Sequence, residues 1–172
     1  FDLKVDKYLS KALVTTVKGE KEYNFNDESI SKIEIRSKEL KGSKVKLEYK
    51  IVVENIGLAE GNALKIVDEL PKDMSFDEKE NDGWYLGEDG KIYNETLKDV
   101  VIKPGEKAEL KLVATKEVNE DNTGFSSNKV ILQETQNKAG IKDIGDNNVS
   151  TQEVLITVST SGRIVAIYGS II

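Results

Sequence analysis

The chain reads as all-β, a two-sheet antiparallel sandwich, on three observations. Val45-Lys46-Leu47-Glu48-Tyr49-Lys50-Ile51-Val52-Val53 alternates apolar and polar residues, and Ala108-Glu109-Leu110-Lys111-Leu112-Val113-Ala114 does the same. Successive side chains of a strand point to opposite faces, so such runs are half-buried strands. Turn signals punctuate the chain at Lys18-Gly19, Asn55-Ile56-Gly57, Asp82-Gly83, Asp89-Gly90, Pro104-Gly105 and Asn122-Thr123-Gly124. Few windows carry the helical period, and many short strands with turns between them pack as a sandwich.

Taken in order, Phe1 to Leu9 alternates, with Leu3, Val5, Lys7 and Leu9 on one face. Lys32 to Arg36, Val45 to Val53 and Ala63 to Val67 are further strands. Trp84-Tyr85-Leu86 and Lys91-Ile92-Tyr93 flank Asp89-Gly90 and predict an inserted hairpin with a type I′ turn. Its Trp84 and Tyr85 either cover one end of the core, as large aromatics mostly do, or form a ligand-binding patch. Ala108 to Ala114 and Asn128 to Leu132 follow, then a polar connection over 135–150 and a strand at Val154 to Val158. Asp143, Asp146 and Asn147 offer oxygen atoms to calcium. No bidentate glutamate stands at loop spacing, so the expectation is a solvated crossover with no metal and no cofactor.

One domain is expected over residues 1–162, with an apolar tail at 163–172. The tail carries Ile164, Ala166, Tyr168 and Ile171 as candidate assembly residues. It is much shorter than the roughly 20 residues of a membrane helix. Three readings stand: a last strand of this domain, the cut start of a membrane anchor, or a strand donated to the next subunit of a fibre. No leader is visible and Phe1 is not a translation start, so a processed or excised piece is expected.

The 172 residues include no histidine and no cysteine. That excludes thiolate chemistry, disulfides, the usual zinc sites and most nucleophile–base pairs. Net charge is −6, with lysines and acids interspersed. There is no basic stripe, so nucleic acid is not an expected partner. Carboxylate pairs for glycosidase work do not single themselves out.

Three polar residues break the pattern by facing inward. Lys7 shares its face with Leu3, Val5 and Leu9; Asp68 with Leu64, Ile66 and Leu70; Asn128 with Val130 and Leu132. A buried amine, carboxylate and carboxamide are the parts of a self-made Lys–Asn amide crosslink. Burial disfavours the ammonium, so neutral Lys7 attacks the Asn128 carbonyl while Asp68 shuttles the proton. Proximity inside one folded molecule supplies much of the acceleration. The competing reading is a plain Lys7–Asp68 ion pair with Asn128 as a hydrogen-bonder, or Lys7 snorkelling at a sheet edge. Lys4, Lys11 and Lys65 are rival amines; Lys4 and Lys65 point outward, and Lys11 is expected past the strand's end.

Taken together, the opening Phe1 to Lys11, Val45 to Gly57, Lys65 to Met74, Trp84 to Asn94, Ile102 to Glu106, Asn122-Thr123-Gly124 and Val149 to Ile156 resemble the conserved repeat domain of Gram-positive, clostridial-type cell-surface proteins. The resemblance runs nearly end to end, and the order of the motifs is more specific than any one of them. It implies an immunoglobulin-like sandwich used as a stalk or adhesin module on the outside of a bacterial cell. Similar surface domains carry Lys–Asn isopeptide bonds with an acidic helper, and Lys7, Asp68 and Asn128 match those positions. The stretch after Asp143 is shorter than the family's acidic, proline-containing segment, and the tail after Gly162 departs from its usual anchor.

The expectation is therefore a non-enzymatic structural and adhesive module with a Lys7–Asn128 bond assisted by Asp68. The alternative is a subunit of an extracellular fibre or pilus joined by strand donation. Expected partners are other copies, neighbouring domains of a surface protein, or a host or matrix ligand. A membrane enters only through a C-terminal anchor.

Overall fold

The computed structural model describes residues 1–143 and 147–160 in full and 163–166 by their backbone. Twelve strands are present among them: β1 (Leu3–Thr16), β2 (Gly19–Asn24), β3 (Ile30–Arg36), β4 (Ser43–Asn55), β5 (Asn62–Glu69), β6 (Met74–Phe76), β7 (Trp84–Leu86), β8 (Ile92–Asn94), β9 (Lys107–Val118), β10 (Gly124–Gln136), β11 (Val149–Thr160) and β12 (Arg163–Ala166). The first sheet has the order β2-β1-β4-β9-β6. The second runs β12-β11-β10-β5-β8-β7, with β3 also on β11. The result is an all-β, two-sheet sandwich. Its filling comes from the inward residues of both sheets, among them Leu9, Leu47, Ile51, Leu112, Val130 and Ile156.

The expected antiparallel arrangement needs one correction. β3 pairs with β11 in parallel, Ile33 opposite Ile156. Alternation along a strand fixes which face is buried but not which way its neighbour runs, so this pairing leaves no mark on the period. The strands are also longer than their apolar runs. β4 extends two residues beyond Val45–Val53 at each end, because the flanking residues keep the alternation with smaller or polar groups.

In β1 the inward set passes from Leu9 to Ala12. The register with β4 shifts between Leu9 and Lys11, a bulge that turns Ser10 toward the Glu48 carbonyl at 2.9 Å. Lys11 is thus inside the strand and not past it, with its amine outward, 3.9 Å from Glu22.

The hairpin forms, but not around a two-residue turn. Leu86 pairs with Ile92, and the Gly87 and Gly90 amides donate to the carbonyls of Lys91 and Gly87. Only Gly90 has positive φ, +81°, so this is a three-residue loop with a left-handed closing glycine; a type I′ turn would need Asp89 there too. The hairpin guards the outer edge of β9. Asn81, at its base, donates to the Val113 carbonyl and accepts the Val113 amide at 2.9 and 2.7 Å. The Trp84 indole donates to the Lys111 carbonyl at 2.8 Å, and β6 closes the next outward position at Thr115.

β12 pairs with the end of β11 at Val158, Ser159 and Thr160. β3 occupies one edge of β11 through Ser159, and β10 leaves the other at Ile156. β12 therefore continues the line of β10. This start of the tail is a strand added to the domain's own sheet. Tyr168 and Ile171 lie outside the described residues.

Candidate functional site: a buried lysine, aspartate and asparagine

Alternation places Lys7 on the inner face of β1, in the first sheet. Asp68 and Asn128 face it from β5 and β10, neighbouring strands of the second. The β5–β10 register sets Val130 opposite Asp68, so Asn128 sits two residues along the same face. All three are buried: Lys7 is 2% exposed, Asp68 and Asn128 0%.

Asp68 joins the other two. One of its carboxylate oxygens takes the Lys7 ammonium in a short contact. The other accepts from Asn128 Nδ2 at 2.6 Å, and Nδ2 also donates to the Glu69 carbonyl at 2.9 Å. The carboxamide nitrogen is thus saturated, while its carbonyl oxygen, Oδ1, has no partner among the described residues. That is unusual here. Asn55 Oδ1 accepts from the Asp2 and Gly57 amides, Asn81 Oδ1 from the Val113 amide and Asn94 Oδ1 from Thr96. Buried carbonyls are generally satisfied; among the described residues Asn148 Oδ1, just before β11, is idle as well, but Asn128 is the one whose carboxamide shares a carboxylate with a buried amine.

Tyr49 closes the site from β4. Its ring lies under Lys7, 4.3 Å from Nζ to the centroid. Burial pushes the Lys7 amine below its ordinary pKa, and the Asp68 carboxylate pulls it partly back. A proton acceptor, the Asp68 carboxylate, lies in direct contact with the amine.

The rival amines are elsewhere. Lys4 is exposed beside Asp6 at 3.4 Å, and Lys65 lies 5.3 Å over the Tyr93 ring. Neither faces the carboxamide's pocket.

A second buried lysine escaped the sequence reading. Lys116 is 2% exposed; its Nζ donates to Ser126 Oγ at 2.7 Å and meets Asp73 at 3.1 Å. The signal was present. Ala108, Leu110, Leu112 and Ala114 share a face, and two more steps reach Lys116 and Val118. The apolar run ends at Ala114, four residues short of the strand's end at Val118.

The weaker candidates separate. Trp84 is buried with its indole spent on Lys111, so it is no surface ligand platform. Tyr85 is 38% exposed, stacked on Tyr93 at 5.6 Å and bonded to Glu95 at 2.6 Å. Asp143 holds the Leu3 amide at 2.9 Å, tying the start of β1 to the connection, and Asp146 lies outside the described residues. Among the described residues, no group of three or more acidic side chains converges as a metal cage, and no helix is long and apolar enough to cross a membrane.

No family model and no curated protein matches this chain. Among solved structures it is similar to the CARDB domain of PF1109 from Pyrococcus furiosus, at 14% identity and a TM-score of 0.40, over 90% of this chain and 94% of that one. It is also similar to a GH20 exo-β-N-acetylglucosaminidase from Vibrio harveyi, solved with N-acetylglucosamine. There the identity is 7% and the TM-score 0.36, over 99% of this chain but 20% of that one.

Proposed function

We propose that this domain is a load-bearing, non-enzymatic module of a bacterial cell surface, locked by a self-made amide bond between Lys7 and Asn128. The observation that carries the reading is the dry contact of Lys7, Asp68 and Asn128, with the amide carbonyl left open. The Lys7 ammonium passes a proton to Asp68. The neutral amine adds to Cγ of Asn128, and the Asp68 carboxyl gives a proton to Nδ2 as it takes one from the attacking nitrogen. The new C–N bond forms, the Cγ–Nδ2 bond breaks, and one ammonia leaves. One turnover suffices, so no substrate pocket is required.

Such a bond spans the two sheets and closes a loop of about 120 residues, worth roughly 5 kcal/mol by loop entropy. Tension entering β1 near Leu3 then reaches β10 through a covalent link instead of through strand pairing. Intact-mass measurement tests the reading. The wild-type chain is expected one ammonia lighter than its sequence, and Lys7→Ala at the calculated mass. A wild-type chain at the calculated mass ends the proposal.

A second reading, a fibre subunit joined by strand donation, has one observation in its favour. β12 holds β11 through just three register pairs, and an identical strand from another copy fits the same positions. Sedimentation of the full chain beside one ending at Gly162 decides it: equal, monomeric masses exclude strand exchange.

A further inference from the structure

Tyr49 carries a hydroxyl that the fold does not use. The residue is 0% exposed, and its Oη has no hydrogen-bond partner among the described residues. A buried hydroxyl without a partner costs on the order of 1–3 kcal/mol, and phenylalanine would fill the same volume without that cost. Orphaned polar groups in a well-packed interior point to a function whose partner is missing in the resting state.

The missing partner has a counterpart. Asn128 Oδ1 is an acceptor without a donor, and Tyr49 Oη is a hydroxyl without a partner. The two side chains border the same Lys7–Asp68 pair, Tyr49 at the amine and Asn128 at the carboxylate. Lys7 Nζ rests 4.3 Å from the Tyr49 ring centroid and contacts Asp68, and Asp68 holds the Asn128 amide at 2.6 Å. They face each other across the core, Tyr49 from β4 in the first sheet and Asn128 from β10 in the second. The other inward hydroxyl nearby, Ser126, accepts from Lys116 Nζ at 2.7 Å and keeps its own hydrogen, so it is tested beside Tyr49.

We infer that the Tyr49 hydroxyl is the donor to the Asn128 carbonyl oxygen as that oxygen gains negative charge under attack by Lys7. The inference rests on the amide-forming reading above. As the amine adds, the C=O π electrons move onto Oδ1, and an O–H aimed at that oxygen lowers the barrier without changing the proton count of the reaction. The hydroxyl is kept in its donor form: burial, then Asp68, then Asp73 push its pKa above the ordinary tyrosine value. The ring itself packs against the Lys7 amine, 4.3 Å from its centroid to Nζ.

The test is Tyr49→Phe, which keeps the ring and removes the donor. The full chain is made by cell-free synthesis, quenched at intervals and weighed intact. Wild type is expected to lose ammonia quickly; Y49F is expected to do so roughly 100-fold more slowly; Ser126→Ala is expected to match wild type. In an Asn128→Ala background, where no bond can form, Y49F is expected to melt at the same temperature or higher, since it only removes an unpaired group. Equal rates in wild type and Y49F overturn the inference and leave the crosslink standing. A clear loss of melting temperature in the Asn128→Ala background also overturns it, because the hydroxyl would then have a resting partner. A wild-type chain that never loses ammonia removes the crosslink itself, and the inference with it.

Discussion

Two buried lysines bridge the same sandwich, and they are built differently. Both reach from the first sheet toward β10, where Asn128 and Ser126 are inward neighbours two residues apart. The Lys7 carboxylate is wholly buried, whereas Asp73, the partner of Lys116, is 38% exposed. Lys116 thus meets a counter-ion that reaches water, and its other partner is a hydroxyl. Lys7 is enclosed with a dry carboxylate and a carboxamide whose carbonyl is free. A charge pair sealed from water is costly unless every lone pair is satisfied, and here one neighbour is not. Burial of the amine alone does not distinguish the two sites. The electrophile and the dryness of the acid do.

The contrast breaks most severely at Asp68. Asp68→Ala removes the proton shuttle, and with it a bond worth roughly 5 kcal/mol. It also strands a buried ammonium, a further 3–5 kcal/mol or so. We expect the chain at its calculated mass and largely unfolded by urea concentrations that wild type resists. Combining it with Lys7→Met is expected to restore much of the folding stability and none of the crosslink.

Asn128→Ala is the next largest. It retains the ion pair and loses the weld, so urea unfolding is expected to show a fall of roughly 5 kcal/mol, with the mass at the calculated value.

That unreacted background also exposes the Lys7 titration. Its folded pKa lies below the ordinary 10.5, so at pH values between the two the unfolded chain binds the extra proton. Stability then rises with pH across that window. Asn128→Ala is expected to gain stability toward pH 10 relative to the same chain carrying Lys7→Met, measured by urea midpoints at matched pH. A parallel pH dependence in the two chains would mean that Lys7 is not held neutral by burial.

The smallest effect sharpens the comparison from the other side. Lys116→Met is expected to cost about 1 kcal/mol, since Asp73 can turn to water, and to leave the loss of ammonia untouched. If Lys116→Met abolished the mass change, the two sites would be one.

The placement of Lys7, Asp68 and Asn128 on inner faces was legible because each interrupts an alternating apolar run, and β1, β5 and β10 keep their parity around those residues. Tyr49 was legible as an inward residue of β4, but its idle hydroxyl is a property of the packed core and has no pattern in the chain. Lys116 was missed because polar residues beyond Ala114 hid the continuing strand. The parallel β3–β11 pair and the bulge at Ser10 depend on which distant strands meet, and one-dimensional periodicity does not hold that information.

Three successive outward positions of β9, Lys111, Val113 and Thr115, are each stopped by a different device: an indole, a carboxamide and a three-residue strand. Along that stretch of β9 the backbone groups are therefore not open to pairing with a foreign strand. The inserted hairpin works as a selvedge, keeping the woven edge from joining other cloth. A chain with residues 81–94 deleted, sedimented beside the intact one, is where lateral aggregation is expected first.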